Sequence, residues 1–595
     1  MTPAERLTAL RAQLATQGVD GFLVPRSDEF LGEYVPPSGE RLAWLSGFTG
    51  SAGLAVVLPG RAAIFTDGRY TTQVAQQTDP ALWERRHLIE QPAPEWLREV
   101  APPGTTIGYD PWLHTEAALA RYSGVTLVPL ARNPIDAIWP DRPAPPLAPA
   151  RIHPAEYAGL DSAQKRETAA AVLRAAGEDA AVLADPHSIV WLLNIRGGDL
   201  SHTPLALGFA LLGADASVQL FMEGQKLGPE LRAHLGNAVS VAERAALPAA
   251  LARYAGRTLR LDADATPAWF ARTLRDAGAR LMAGDDPCRL PRAQKNPTEQ
   301  QGARHAHQRD AVAMARFLAW FAAEAPRGGL TEMAAAEQLL AFRREVPLFQ
   351  GESFPAIAGA AENGAIVHYR ATTESNRRIN PDECFLLDSG AQYRDGTTDI
   401  TRTLFTGPSA PPLGLRQRYT RVLQGHIALG TARFPRGVAG PHLDALARRP
   451  LWEAGLDYDH GTGHGVGSFL SVHEGPATIS RAAKPVPLAP GMILSNEPGF
   501  YLPGAYGIRI ENLLLVREAE PRPDQAKPFL EFETLTLAPY ARALIEPSLL
   551  TAAERGWIDA YHARVLAEIA PLCDPDTAAW LAQACRPLAQ PGPGC

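Results

Sequence analysis

Between residues 384 and 515, acidic residues lie inside apolar, strand-like runs, where carboxylates are rare. Four acids share this setting: Asp388 in "CFLLDSG", Asp399 in "TTDITRTLF", Glu497 in "MILSNEPGF" and Glu511 in "IRIENLLLV". A buried carboxylate must lose its charge, pair with a base or bind a cation, because desolvating an unpaired ion is expensive. Pairing with Arg509 or Arg402 would explain any one of them. Four in one region indicate a shared cation.

Two histidines in "YDHGTGHGVG" (458–467) supply the nitrogen ligand that such a site needs. The run is not the phosphate-binding pattern GxGxxG, because Val466 stands where the last glycine should be. Gly463 and Gly465 are expected to remove side-chain bulk beside His464, so that metal and substrate can reach the imidazole. One imidazole with four carboxylates suits two divalent cations that activate water. Oxygen-rich ligation favours Mn²⁺, with Co²⁺, Fe²⁺ and Zn²⁺ as alternatives.

Two hairpins are expected to bring the acids together. A turn at Asp395–Gly396 in "QYRDGTT" sets Asp399 opposite a residue four positions from Asp388. A regular ladder would leave the two aspartates about 13 Å apart, at about 3.3 Å per residue, so their convergence requires a bend or bulge. Gly390 is the candidate for that bulge. The loop "PGFYLPGAYG" predicts a second hairpin between the two glutamates.

Composition excludes several classes of protein. The 595 residues are 46% hydrophobic and 20% charged with a net charge of −7, so several globular domains are expected and no basic footprint for nucleic acid is present. No apolar run reaches membrane-spanning length, and the N-terminus lacks an apolar signal core. Five scattered cysteines without a CxxC pattern suit a reducing cytoplasm and argue against a cysteine-built metal site.

The first 225 residues contain two similar segments. Each has an apolar strand, a Trp-Leu segment that we interpret as a strand, and a predicted hairpin: "DGFLVP", "AWLSGF" and "LAVVLPGRAAIFTDG" in the first, "DAAVLAD", "VWLLNIRG" and "GFALLGADASVQLFMEG" in the second. A Pro-rich stretch (139–154) reads as the linker between them. Helical spacing over 295–325 predicts a long helix, with Thr298 as its N-terminal cap.

Five motifs together resemble one family: "IVHY", "LLDSGAQYRDGTTDITRT", "HGTGHGVGSFLSVHEGP", "ILSNEPGFY" and "GIRIENL". They are similar to the aminopeptidase P group of the pita-bread metallopeptidases, in its long, three-domain cytosolic form. The resemblance implies a multidomain protein of α/β and α+β class. Its expected parts are a creatinase-like domain I (1–145), a creatinase-like domain II (151–295), a pita-bread catalytic domain (296–535) and a C-terminal extension (536–595).

The resemblance also implies roles for individual residues. The expected metal ligands are Asp388, Asp399, His464, Glu497 and Glu511. The expected catalytic residues are His368, His460, His473 and Glu497, and the expected substrate-binding residues are Arg69, His368, His473 and Arg509. Three of these residues also have a purely structural interpretation. His368 would be an ordinary strand histidine, His460 would hydrogen-bond its own glycine-rich loop, and Arg509 would be a counter-ion to nearby carboxylates. The histidines at 305, 307, 426 and 442 are expected at the surface.

The function that the resemblance implies is removal of the N-terminal residue from peptides with proline at the second position. Two divalent metal ions with a bridging hydroxide would hydrolyse the bond, and Glu497 would act as both ligand and base. A proline dipeptidase with the same metals is the alternative enzyme. A metal-free peptide-binding module on the same fold is the alternative outside enzymes. The resemblance also suggests a homodimer.

Overall fold

The computed structural model describes residues 1–588 of the chain. It divides into two compact units: residues 1–155 with 160–289, and residues 156–159 with the chain from 290 onward. Within the described residues, no helix combines the length and the apolar character needed to cross a membrane.

The first unit begins with a six-stranded sheet in the order β4-β3-β2-β1-β5-β6. Its strands are β1 Gly21–Pro25, β2 Leu54–Val57, β3 Ala62–Thr66, β4 Glu84–His87, β5 Thr106–Tyr109 and β6 Thr126–Pro129. The helices around it are α1 Pro3–Thr16, α2 Arg41–Ser46, α3 Thr71–Gln77, α4 Ala93–Val100, α5 Glu116–Leu119 and α6 Pro134–Ile138. Helix α1 starts at a capping box between Thr2 and Glu5, and its apolar face is buried.

The rest of the first unit repeats this arrangement. Its strands are β7 Arg151–Ile152, β8 Ala180–Leu183, β9 Ile195–Arg196, β10 Phe209–Gly213, β11 Val218–Phe221, β12 Val239–Ala242, β13 Thr258–Leu261 and β14 Arg280–Ala283. The helices are α8 Ser162–Ala176, α9 Pro186–Leu192, α10 Pro229–Leu235, α11 Leu247–Ala252 and α12 Ala268–Asp276, and the short helix α7 Ala155–Ala158 before them belongs to the second unit from residue 156 onward. The second sheet has the order β12-β11-β10-β8-β13-β14, which is the order of the first sheet strand for strand. The two similar sequence segments therefore form the same topology.

One prediction about these repeats is wrong. The Trp-Leu segments form helices α2 and α9 instead of strands. A short apolar run does not distinguish a buried helix from a strand, and the capping residues decide the matter here. Helix α2 ends at Gly47 in the left-handed conformation, and α9 begins with Asp185 as cap and Pro186 in its first turn.

The second unit carries the acid-rich strands. Its strands are β15 Phe349–Glu352, β16 Ile357–Ala360, β17 Cys384–Ser389, β18 Ala391–Tyr393, β19 Gly396–Thr397, β20 Ile400–Phe405, β21 Arg433–Pro435, β22 Gly463–Gly465, β23 Glu474–Ile479, β24 Ile493–Asn496, β25 Gly499–Leu502, β26 Tyr506–Arg509, β27 Asn512–Glu518 and β28 Phe529–Thr534. The helices are α13 Arg289–Ala293, α14 Pro297–Glu324, α15 Glu332–Arg344, α16 Leu413–Gly430, α17 Gly440–Trp452, α18 Ala552–Ile569 and α19 Pro575–Ala584.

Antiparallel sheets and long helices build this second unit. The largest sheet has the order β21-β28-β27-β24-β22-β23, and smaller sheets are formed by β15-β18-β19, β16-β17-β20 and β25-β26. The long helix α14 is capped by Asn296 in a capping box with Glu299, and Pro297 occupies its first turn. Thr298 is therefore inside the helix, and the predicted cap was placed two residues too late.

The C-terminal helices belong to the core of the second unit. Apolar residues of α18 and α19 pack with those of α16 and of the β25–β26 hairpin in one buried cluster. Among its members are Tyr540, Tyr561 and Ile558 from the C-terminal region, Tyr419 from α16 and Ile508 from the hairpin. The acid-bearing hairpin therefore rests on the C-terminal helices.

Candidate metal centre

The first acid-bearing hairpin has a different register from the one expected. Tyr393 pairs with Gly396, so the two-residue turn is Arg394–Asp395. The ladder keeps this register into the β17–β20 pair. Asp399 therefore lies opposite Gly390, two positions from Asp388 and not four.

The corrected register removes the need for a bulge. Two positions along a strand separate Asp388 from the level of Asp399 by about 7 Å, at about 3.3 Å per residue. The ladder has the same register before and after Gly390, and no bulge occurs in this described hairpin. Gly390 has another role: a Cβ at this position would lie 2.1 Å from Ser353 Oγ. Glycine is needed here for close packing, and the expected bend was wrong.

The second predicted hairpin is present and aligns the two glutamates. Asn496 pairs with Asn512, and the β25–β26 hairpin continues in the same register beyond them. This register sets Glu497 directly opposite Glu511, in the gap between the two paired stretches. The Glu511 amide donates to the Thr401 carbonyl at 3.1 Å, which joins the second hairpin to strand β20 of the first.

The glycines beside His464 have a structural cause. A Cβ at Gly463 would lie 2.0 Å from the Ser495 carbonyl oxygen, and one at Gly465 would lie 2.1 Å from the Glu474 carbonyl oxygen. Neighbouring backbone therefore excludes side chains at both positions. The expectation that these glycines open a path for metal and substrate was wrong; they allow β22 to lie tightly between its neighbours.

His464 and three of the acids form a compact group. Ligand-type atoms of Asp399, His464 and Glu511 all lie within 4.8 Å of one another. His464 Nε2 is 3.6 Å from Asp399 Oδ2 and 3.3 Å from Glu497 Oε1. Ser495 Oγ donates to Glu497 Oε1 at 3.0 Å and holds that carboxylate in place.

A hydrogen bond on the far side of His464 orients its ring toward the carboxylates. His464 Nδ1 lies 3.0 Å from the Gly465 carbonyl oxygen, which can only accept, so Nδ1 carries a proton. This bond directs Nε2 toward the carboxylates. Metal-binding histidines commonly donate their other nitrogen to a carbonyl in this way.

The charges in the group are out of balance without a cation. Burial, and then repulsion by Glu511 and Asp388, raise the pKa of Asp399 well above its usual range. Burial and repulsion by Glu497 raise the pKa of Glu511 in the same way. Burial raises the pKa of Glu497 to about 7 despite the nearby Arg509 guanidinium. Such mutual repulsion is what a bound cation relieves.

Two buried acceptor atoms also lack a protein partner. Asp388 Oδ1 and Asp399 Oδ1 accept no hydrogen bond from any described residue. Carboxylate oxygens of this kind, an imidazole nitrogen and the mutual repulsion of the acids all fit a pair of divalent cations. The group composed of Asp388, Asp399, His464, Glu497 and Glu511 is called the metal group below.

Arg509 has the contacts of a counter-ion, one of the alternatives that the sequence left open. Its Nη2 donates to Asp388 Oδ2 at 2.7 Å, and its side chain is almost entirely buried. Its Nη1 donates to the Tyr501 hydroxyl at 2.6 Å. That hydroxyl lies 2.9 Å from His460 Nε2, while His460 Nδ1 lies 2.8 Å from the Gly461 carbonyl oxygen. A chain of hydrogen bonds thus joins His460 to Asp388.

The other expected substrate residues lie in different surroundings. The His473 ring packs edge-on against the His464 ring, with centroids 4.3 Å apart. His368 is half-buried in the loop between β16 and β17, next to buried Tyr369. Arg69 belongs to the first unit, where its guanidinium forms a two-point ion pair with Asp67.

The structure adds residues that the sequence analysis did not single out. Tyr501 lies on the same face of its hairpin as Arg509, so period-two alternation was an available signal for it. Arg448 of α17 donates to the carbonyls of Tyr458 and His460 and thereby holds the glycine-rich loop. Arg448 also pairs with Asp457 and with Asp444, one helical turn earlier, so the spacing to Asp444 was an available signal for its ion pair but not for its contacts with the loop carbonyls.

Two of the four histidines expected at the surface are buried. His426 and His307 are about 1% and 3% exposed, whereas His305 and His442 are exposed as expected. Both ring nitrogens of His426 have partners. Its Nδ1 donates to the Asn496 carbonyl, and its Nε2 lies within hydrogen-bond distance of the Tyr540 hydroxyl. His307 Nδ1 bonds the carbonyl one helical turn earlier, at Ala303. Neither pattern is visible as hydrophobic spacing, and the surface expectation for these two was wrong.

Known protein families match most of the chain. Residues 301–518 match the model of metallopeptidase family M24, and residues 528–588 match the C-terminal region of that peptidase family. Residues 6–136 and 141–299 each match a creatinase/prolidase N-terminal domain. These matches agree with the duplicated sheets of the first unit and with the acid-rich second unit. The fold and the metal group thus define a metallopeptidase.

Individual relatives indicate which group within the M24 metallopeptidases this chain resembles. The chain is 40% identical to aminopeptidase P2 of Arabidopsis thaliana over 99% of this chain and 89% of that protein. It is 38% identical to a probable Xaa-Pro aminopeptidase P of Aspergillus oryzae over 99% and 93%. An X-prolyl aminopeptidase of Caenorhabditis elegans, described as a cytosolic enzyme with a di-nuclear active site, superposes with a TM-score of 0.94 at 34% identity over 99% of this chain and 100% of that one. The chain belongs to the aminopeptidase P family of M24 metallopeptidases.

Proposed function

We propose that this chain is an Xaa-Pro aminopeptidase, which hydrolyses the bond between an N-terminal residue and proline. The observation that carries the proposal is its full-length likeness to the C. elegans X-prolyl aminopeptidase, which includes both N-terminal domains and the C-terminal region. A prolyl peptide bond has no N–H and holds its nitrogen in a ring. A site shaped for that ring selects such bonds over ordinary ones.

The cofactor in this proposal is a pair of divalent metal ions held by Asp388, Asp399, His464, Glu497 and Glu511. Manganese is the metal we propose, because four of the five ligands are carboxylates, with Co²⁺, Fe²⁺ or Zn²⁺ as alternatives. When bound, such a pair polarises the scissile carbonyl and acidifies water.

The chain's own residues supply positioning and proton transfer. We propose that Glu497, whose carboxylate accepts a hydrogen bond from Ser495, takes the proton of the attacking water. His473 lies beside His464, and His460 is held by Tyr501. We propose that His368, His460 and His473 bind substrate and pass a proton to the leaving prolyl nitrogen, which leaves poorly unless protonated. Arg509 would then contribute by fixing Asp388, and a peptide contact of Arg69 stays a prediction.

Substrate length tests the activity against the alternative of a proline dipeptidase. We expect cleavage of an Arg-Pro-Pro tripeptide at a kcat/KM well above that of an Arg-Pro dipeptide, and no cleavage of Arg-Ala-Pro. The Arg-Pro-Pro tripeptide and the Arg-Pro dipeptide share the same scissile bond. They differ only in what they place on the C-terminal side of the site. Faster hydrolysis of the dipeptide would favour the dipeptidase.

Removal of one ligand charge tests the metal group. Asp399→Asn should lower the affinity for Mn²⁺ and the turnover by at least about 100-fold, since even outer residues of metal sites contribute 10- to 100-fold. The metal-free variant should be at least as stable as the parent chain, because a repelled buried carboxylate has been removed. Metal analysis after dialysis and thermal unfolding measure the two effects. Full metal content with full turnover would exclude the assignment of Asp399.

Domain boundaries, assembly and location are also part of this proposal. We propose domains at 1–145, 151–295, 296–535 and 536–595, which is supported by family matches to similar stretches. A cytoplasmic location is supported by the C. elegans relative, which is described as cytosolic. We further propose a homodimer that acts on free peptides, without a nucleic-acid or membrane partner. Light scattering of the purified chain tests the dimer.

A further inference from the structure

Arg402 is a fully buried arginine that has no acidic hydrogen-bond partner among residues 1–588. It lies on β20, next to Thr401, and is 1% exposed. In the part of the chain that the structure describes, its guanidinium donates to neutral oxygens: the carbonyls of Thr401, Glu511, Ala538 and Pro539, the side-chain oxygen of Asn512 and the hydroxyl of Tyr561. Burying a guanidinium without a carboxylate is unfavourable unless its donors are satisfied. The site therefore holds Arg402 in one defined position.

These bonds join two parts of the chain. Nη1 donates to the Glu511 carbonyl at 2.7 Å, and Nη2 donates to the Asn512 side chain at 2.9 Å. The same guanidinium donates to the Ala538 carbonyl at 2.8 Å and lies over the Tyr540 ring, 4.9 Å from its centroid. Arg402 thus links the backbone at Glu511 with the C-terminal region.

Tyr540 extends the link to the other glutamate. Its hydroxyl accepts from Asn512 Nδ2 at 2.9 Å and lies 3.1 Å from His426 Nε2. His426 Nδ1 in turn donates to the carbonyl of Asn496 at 3.1 Å, one residue before Glu497. One hydrogen-bond network therefore holds Asn496 and Asn512, the strand-end residues next to the two opposed glutamates.

We propose that Arg402 and Tyr540 are positioning residues of the metal group, and that residues 536–588 help to hold the ligands of that group in place. The inference deepens the proposed function and rests on it, because it concerns metal binding. Glu497 and Glu511 lie directly opposite each other between the two paired stretches, so the adjoining backbone must be held if both ligands are to stay in place before the metal arrives. A loosened backbone would have to be ordered by the metal itself, which lowers the apparent affinity.

The test is the affinity for Mn²⁺ in variants of the full chain. Arg402→Lys keeps the charge but loses the planar, multi-point geometry, so we expect an affinity at least about tenfold lower. Tyr540→Phe removes only one hydroxyl and retains the ring, and we expect a loss of several-fold. Isothermal titration with Mn²⁺ measures the affinity. Electron paramagnetic resonance of the loaded protein reports whether the two ions stay magnetically coupled, which a merely structural role would not change.

A buried arginine elsewhere provides the matched control. Arg41 in the first unit is 4% exposed and paired with Asp136, so Arg41→Lys should alter stability without altering Mn²⁺ affinity. Unchanged affinity, within twofold, in both Arg402→Lys and Tyr540→Phe would overturn the inference and leave the proposed function intact. A parent chain that binds no Mn²⁺ would overturn both together. Circular dichroism checks that each variant is folded. If Arg402→Lys does not fold, the Mn²⁺ affinity of Tyr540→Phe alone tests the inference.

Discussion

In the metal group, each residue's charge depends on its neighbours. Burial and the surrounding carboxylates raise the pKa values of Asp399, Glu511 and Glu497, while Arg509 opposes the shift at all three. One arginine cannot neutralise four acids, and the acid to which Arg509 donates a hydrogen bond is Asp388. The burial and mutual repulsion of these acids therefore support the argument from sequence that they need a shared cation.

The Tyr501 hydroxyl offers a residue-level test of the hydrogen-bond chain between His460 and Asp388. Tyr501→Phe should lower kcat about 10- to 100-fold with little change in KM, because the ring stays while the bonds to His460 and Arg509 are lost. Tyr506→Phe, in the partner strand of the same hairpin, removes a hydroxyl bonded to Arg418 and should be neutral. Steady-state kinetics at saturating Mn²⁺ separate the two. Equal kcat values in both variants would remove Tyr501 from the proposed mechanism.

Among the elements, register decides which side chains meet. The sequence predicted both acid-bearing hairpins, because turn residues and alternation are local signals. It misplaced the first turn by one residue, which shifted Asp399 by two positions along its partner strand. Turn sequences with several polar residues and a glycine admit more than one two-residue turn, and tertiary packing at Gly390 selects among them.

Other features depended on partners far away in sequence. The buried His426 and the loop-holding Arg448 both contact backbone carbonyls that are distant in sequence. The motifs were enough to single out residues that the fold brings together around His464, because ligand chemistry requires particular residue types. They were not enough to identify what holds the ligands, because carbonyl and hydroxyl partners leave no mark on composition.

The tight strand β22 yields a test at the level of elements. Gly463→Ala would place a Cβ 2.0 Å from the Ser495 carbonyl, so β22 must move away from β24 and carry His464 with it. We expect a loss of about 2–3 kcal/mol in unfolding free energy and a weaker Mn²⁺ affinity. Gly461→Ala, in the same loop, meets nothing closer than 3.4 Å and should be tolerated. Urea unfolding of the metal-free chains measures the first effect; similar stability of the two variants would contradict this account of the glycines.

The whole molecule consists of two units with separate cores, and only the second holds the metal group. A ligand stabilises only the states that bind it, so Mn²⁺ should raise the unfolding temperature of the second unit alone. At a hundredfold excess over Kd, the gain is about 2.7 kcal/mol, or about 4 °C for a unit of this size. Calorimetry with and without Mn²⁺ checks this, and the Asp399→Asn chain should show no shift. An equal shift of every transition would contradict it.

Asp28 makes the first unit sensitive to pH in a way that is independent of the metal. Burial, and then repulsion by Glu29, raise the pKa of Asp28 from 3.8 to about 7. Between these two values the folded state binds more protons than the unfolded chain, so this group's contribution to stability is full below pH 4 and is lost as pH rises toward 7.

Asp28→Asn should abolish that pH dependence. The amide oxygen can still accept from the backbone amides of Phe30 and Gly32, as the carboxylate does. The variant should match the parent chain at pH 4 and exceed it at pH 8 by an amount on the order of a few kcal/mol. Thermal unfolding of the metal-free protein at both pH values provides the measurement, with the transition of the second unit as an internal reference. A variant less stable than the parent chain at pH 8 would mean that Asp28 is charged and favourably paired in the folded state.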